Sequence, residues 1–119
     1  MQRFTELKVW QGSHALVLEI YRLTGRFPFE ERFGLTAQLR RAALSVPMNI
    51  AEGSKRDSRQ DYARFLNIAE GSLVEAEYLM MLSRDLGYLA AEVTEPVLAE
   101  IKEIAGMLHN LRMTVEKAK

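Results

Sequence analysis

His14 and His109 are the side chains best suited to chemistry in a chain that has no cysteine. Without cysteine there is no thiolate nucleophile, no thiolate metal site and no disulfide framework. Helical bundles that hold metals use Glu-x-x-His pairs, because a carboxylate and an imidazole one turn apart can grip one ion. Gln11 stands three residues before His14 and Gly106 three before His109, so neither position supplies a carboxylate. Both read as ordinary helix-surface or half-buried histidines. The chain also lacks a Gly-x-x-x-x-Gly-Lys-Ser/Thr phosphate loop and a Gly-x-Ser-x-Gly elbow. The residues point to no enzyme, no metal and no cofactor.

Two polar clusters remain. Pro47 sits inside a helical run, where it deletes one amide and displaces the carbonyl of Ala43 at a cost of about 3 kcal/mol. Asn49 and Glu52 follow it and Arg40 and Arg41 precede it, so polar side chains are expected to gather round a kink. The plain reading of Pro47, Asn49 and Glu52 is a bent helix whose side chains satisfy one another. The sharper one is a functional pocket. The second cluster is basic: Arg40, Arg41, Lys55, Arg56, Arg59 and Arg64, against Glu52, Asp57 and Asp61. Lys55, Arg56 and Arg59 fall in a polar turn where a phosphate backbone could be met. A solvated loop explains the same residues. No aromatic residue interleaves the cluster before Tyr62, which disfavours a stacking platform for single strands.

These residues must be positioned by helices. Val9, Ser13, Leu16, Ile20, Leu23 and Phe27 step by four and three, with Trp10, Val17, Tyr21 and Thr24 beside them. Leu35, Leu39, Ala42, Val46 and Ile50 make a second stripe, flanked by the small Ala43, Ser45 and Ala51. Ser58 suits an N-cap, and Tyr62, Phe65, Ala69, Leu73, Ala76, Met80, Ser83 and Leu86 recur until Gly87 offers a left-handed stop. The other flank of that helix carries Ile68, Val74, Tyr78, Met81 and Leu82, more apolar surface than one antiparallel neighbour needs. In a fourth helix Thr94 can cap, Pro96 falls in the first turn, and Val97, Ile101, Ile104, Leu108, Leu111 and Val115 form a seam. The helices are predicted over about 7–24, 35–52, 58–86 and 94–117, with no strand signal. Short connections make this an all-α, up-down-up-down antiparallel four-helix bundle spanning residues 1–119 as one domain. The loop Phe27-Pro28-Phe29-Glu30-Glu31-Arg32-Phe33 can either close the end of the core or dock on a neighbouring chain.

Composition agrees with this. The 119 residues are 48% hydrophobic and 27% charged, which suits a folded single domain. Sixteen basic residues balance sixteen acidic ones, so any electrostatic partner must meet a local patch and not a net charge. Residues 1–60 carry ten basic and six acidic side chains, and residues 61–119 carry six and ten. Met1-Gln2-Arg3-Phe4-Thr5-Glu6 is followed by no apolar leader, and the longest apolar run, Tyr78–Leu82, is too short for a membrane span. A cytoplasmic protein without a membrane partner is expected.

Several blocks resemble the four-helix-bundle family encoded in intervening sequences of bacterial 23S ribosomal RNA genes. They are Val9-Trp10-Gln11, Phe27-Pro28, the run from Gly34-Leu35-Thr36 through Arg40-Arg41-Ala42-Ala43 and Ser45-Val46-Pro47 to Asn49-Ile50-Ala51-Glu52-Gly53, and Arg64-Phe65-Leu66 with Ile68-Ala69, Gly71-Ser72-Leu73 and Glu75. The resemblance implies a cytosolic bundle that assembles into a ring, commonly a homopentamer. A related branch includes the accessory protein of diversity-generating retroelements, which partners a reverse transcriptase and nucleic acid. This chain is neutral where a strong nucleic-acid binder would be basic. Gly12-Ser13 also departs from a helix-favouring pair, and the glycine should weaken the first helix by about 1 kcal/mol. The expected function is a non-enzymatic, ring-forming adaptor with weak RNA or DNA contact. The alternative is a nucleic-acid-binding accessory of 23S rRNA or of a reverse transcriptase.

Overall fold

A computed structural model describes residues 3–117, and residues 1–2 and 118–119 of the expected domain lie outside the described residues. Four helices form: α1 (Lys8–Thr24), α2 (Leu35–Ser54), α3 (Arg59–Asp85) and α4 (Ala91–Lys117). Short 3-10 turns at Phe4–Glu6 and Phe29–Glu31 precede α1 and α2. Each helix packs on its chain neighbours and α1 closes against α4, while the diagonal pairs do not approach. That is the square arrangement of an up-down-up-down bundle, about 48 Å long. No strand occurs among the described residues.

The predicted stripes meet at the axis. Leu16, Ile20 and Leu23 of α1, Leu39, Val46 and Ile50 of α2, Leu73 and Met80 of α3, and Ile104 and Leu108 of α4 are fully buried. Two positions of the predicted α3 stripe differ from expectation: Leu86 is half exposed, and Phe65 gives its place to Leu66. Leu66 is buried and Phe65 only half-buried, because Tyr62 to Ala69 can be bridged through either position at three-and-four spacing.

The helix ends show which local signals hold. The Ser58 hydroxyl accepts from the Asp61 amide at 3.0 Å. Gly87, with φ of 83°, ends α3 as the Tyr88 amide donates to the Ser83 carbonyl and the Gly87 amide to the Arg84 carbonyl, both at 3.0 Å. This is the six-to-one and five-to-two pattern that a left-handed residue permits. The start of α4 is corrected from Thr94 to Ala91. Thr94 is buried and its hydroxyl donates to the Ala90 carbonyl at 2.9 Å, so it serves the helix interior and caps nothing. Pro96 consequently lies one turn deeper than expected.

The aromatic loop divides. Phe27 is buried against Tyr88, ring centroids 5.5 Å apart, whereas Phe29 and Phe33 are exposed. Glu31 fastens the loop. Its carboxylate accepts from the Leu35 amide at 3.0 Å and from the Tyr88 hydroxyl at 2.9 Å. The amide and then the hydroxyl hold Glu31 below the usual carboxylate range, and Tyr88 is pushed up chiefly by the same contact. Among the described residues no helix is long and apolar enough to cross a membrane.

Candidate functional site

Pro47 lies inside α2, which runs on through it from Leu35 to Ser54, and is itself buried. Asn49 is its polar companion: the side-chain amide donates to the Ser45 carbonyl at 2.7 Å and to the Ser45 hydroxyl at 2.9 Å. The Ser72 hydroxyl of α3 completes the set, donating to Ser45 Oγ at 2.8 Å. Glu52 and the two arginines do not join it. Glu52 pairs with Arg56 on the outside of the turn, and Arg40 reaches α1, donating to Thr24 Oγ1 at 2.8 Å and to the Tyr21 carbonyl at 3.3 Å. The expected cluster is thus corrected to Ser45, Asn49 and Ser72, a small hydrogen-bonded clip between α2 and α3. These groups satisfy one another.

The six basic residues are likewise divided. Arg40 lies over the Tyr21 ring at 4.5 Å, and Arg41 is exposed near it. The fourteen residues separating Arg41 from Lys55 span about 21 Å of helix, so the first two arginines and the turn are separate patches. At the turn, Arg56 pairs with Glu52 and comes within 4.0 Å of Asp61. Arg64 pairs with Asp61 at 2.9 Å. Both guanidinium groups lie over the Phe65 ring, at 4.7 and 4.6 Å, as cations do on an aromatic face. Arg56 and Arg64 are therefore already matched in charge, as the acidic count suggested. Lys55 and Arg59 have no such partner among the described residues.

Arg59 borders two grooves. One, about 420 Å³, runs between the start of α3 and the end of α4 and is lined by Arg59, Gln60, Arg64, Asn67, Arg112 and Glu116. The other, about 310 Å³, lies on the far side of Arg59 against Leu7, Asp57, Tyr62 and Leu111. Burial pushes the half-buried Tyr62 phenol up. Arg112 was not foreseen in this site. It hydrogen-bonds Glu70 of α3 and Glu116 on its own helix, and these contacts, Glu70 first, raise its pKa. The Glu116 spacing was visible in the sequence, whereas Glu70 lies 42 residues away and becomes a neighbour only by folding.

His109 Nδ1 is 3.5 Å from Glu70, and His14 stacks on Trp10 with centroids 5.1 Å apart. Among the described residues no three of His, Asp or Glu gather to hold a metal ion. The turn can present one lysine and one arginine to an anion beside a groove with hydrogen-bonding amides. That is a contact for one or two phosphates and not a continuous track.

The model of the 23S rRNA-intervening sequence protein family matches residues 5–110. A crystal structure from Bacteroides thetaiotaomicron, described as a protein with unknown function from the S23 ribosomal protein family, superposes with a TM-score of 0.79. It is 26% identical and covers 87% of this chain and 97% of its own. No curated protein matches the chain.

Proposed function

The chain belongs to the 23S rRNA-intervening sequence protein family, and from that premise we propose that it is a non-enzymatic cytoplasmic adaptor that assembles with copies of itself into a ring of five. The observation that carries this reading is apolar surface left outside the bundle. Leu44 and Met48 of α2 and Ile68, Val74, Tyr78 and Met81 of α3 are exposed, and this much large apolar surface on a small domain supports an interaction site. The ring and its size come from the resemblance to the family. Light scattering after gel filtration at micromolar concentration tests it: a mass near five times 13.6 kDa is expected, and a clean monomer removes the reading.

A second reading, a nucleic-acid-binding accessory acting with 23S rRNA or a reverse transcriptase, is favoured by one feature. Lys55 and Arg59 have no partners among the described residues, and Arg59 borders the α3–α4 groove. Two such cations at the turn support only weak binding with a shallow salt dependence, although a ring repeats the pair and gains avidity. Anisotropy titrations of structured RNA and duplex DNA at two salt concentrations decide it. Salt-sensitive binding lost in a Lys55→Glu, Arg59→Glu variant promotes this reading, and equal binding by wild type and variant removes it.

A further inference from the structure

Phe29 and Phe33 are the most exposed large apolar side chains among the described residues, at 71% and 83%. They are not loose. Arg32 lies between them, its guanidinium 3.6 Å from the centre of one ring and 4.6 Å from the other, and it donates to the Phe29 carbonyl at 3.0 Å. Glu31 ties the same turn to Leu35 and Tyr88. The end of the bundle therefore carries a firm aromatic knob with a cation in its middle. Ordering such a knob before contact lowers the entropy lost on binding.

A receptor of matching character lies on the flank of the same chain. Gln38 of α2 with Val74, Glu75, Tyr78 and Leu79 of α3 line an apolar groove of about 360 Å³. Val74 and Tyr78 are 64% and 60% exposed. Glu75 in its wall has no partner among the described residues. Arg32 likewise has no carboxylate partner, while Glu31 is committed inside the loop. The tip of the knob is thus apolar with the Arg32 cation between its two rings, and the groove is apolar with the Glu75 carboxylate in its wall.

We propose that the Phe29–Arg32–Phe33 knob of one copy seats in the Gln38–Val74–Glu75–Tyr78 groove of the next copy, with Arg32 against Glu75. This inference rests on the self-assembly proposed above and specifies its contact. Two different surfaces meet, so the contact is head-to-tail and not self-complementary. Gln38 follows Phe33 by five residues, no more than about 8 Å of helical rise. The Ser45–Ser72 hydrogen bond sets Val74–Leu79 beside this same end of α2. Knob and groove therefore lie at similar height along the bundle. Rotation with little rise carries one onto the other, the condition for a closed ring in preference to an open filament.

The test uses two full-length variants, Phe29→Glu, Phe33→Glu and Val74→Glu, Tyr78→Glu, whose altered positions are all exposed. Circular dichroism is expected to keep the wild-type helix signal in both. Each variant alone should be monomeric, with self-association weakened about 30-fold or more. Mixed together they should form a one-to-one pair and go no further, because each retains one working surface. A monomeric wild type overturns the self-assembly reading itself. An oligomeric wild type with either variant still fully assembled, or two monomeric variants that fail to pair, overturns the knob-and-groove contact alone. Charge exchange gives an independent measurement: Arg32→Glu is expected to weaken assembly and Arg32→Glu with Glu75→Arg to restore it. Absence of that rescue counts against the contact.

Discussion

Along the α2–α3 seam Gly53 lies so close to the facing helix that a Cβ there would stand 2.8 Å from Phe65 Cβ and 3.0 Å from the Tyr62 ring. Along the α1–α4 seam a Cβ on Gly12 would stand 3.6 Å from Ile104 and 3.7 Å from Met107, ordinary contact distances. The first seam also holds the Ser45–Asn49–Ser72 hydrogen bonds, whereas the second holds Glu100, whose Oε1 is buried without a partner. The difference follows from chain order. α2 and α3 are joined by the short turn from Lys55 to Ser58 and pack along their full lengths, so small residues and matched hydroxyls can bring the backbones together. α1 and α4 meet only when the bundle closes.

The same substitution should therefore have opposite signs in the two seams. Gly53→Ala forces Phe65 or Tyr62 to move and should destabilise the fold by about 1–3 kcal/mol, the usual cost of overpacking. Chemical denaturation measures it, and an unchanged midpoint would mean that the seam is looser than its geometry. Ser72→Ala removes one hydroxyl from the clip while Asn49 still serves Ser45. It should cost about 1 kcal/mol, the net value of one hydrogen bond. Gly12→Ala, in the roomier seam, should stabilise by up to about 1 kcal/mol through helix propensity alone. A loss at Gly12 would place both seams in one class.

The parts of this arrangement that were legible in the sequence are the local ones. Ser58 and Gly87 mark the ends of α3 because a hydroxyl cap and a left-handed glycine act within a few residues. Thr94 misled because a threonine near a helix start can cap or can bond back to the preceding turn, and only burial decides. Phe65 and Leu66 compete for one core position in the same way. The candidate site was less legible. Arg40, Arg56 and Arg64 look like free cations in a list of residues, yet each is engaged, two of them with acids one turn away that the charge count already included. Ser72, 27 residues from Ser45, and Arg112, 42 from Glu70, carry no local signal of their partners. Gly53 likewise carries no local sign of its partner, and the fold uses its missing side chain for close approach to α3 from inside α2.

Glu100 supplies the finest distinction between the seams. Its pKa is raised, first by burial and then by Glu19 across the seam and Glu103 on its own helix. Glu19 itself is held low, first by its hydrogen bond to Arg22, so it remains an anion facing Glu100. A carboxyl whose folded pKa exceeds its unfolded value binds its proton more tightly in the fold. Its contribution to stability is fully present below the unfolded value, ordinarily near 4.5, and is lost as pH rises through the folded value. Glu100→Gln keeps the shape and removes the charge. Because solvent still reaches part of the side chain and screens it, the gain at pH 7 should be only on the order of a few tenths of a kcal/mol. Thermal melts of wild type and variant should separate at pH 7, with the variant higher, and converge below about pH 4. A difference that persisted unchanged at pH 4 would assign the effect to packing. A lower melting temperature for the variant at pH 7 would mean that the Glu100 charge has a favourable partner in the seam.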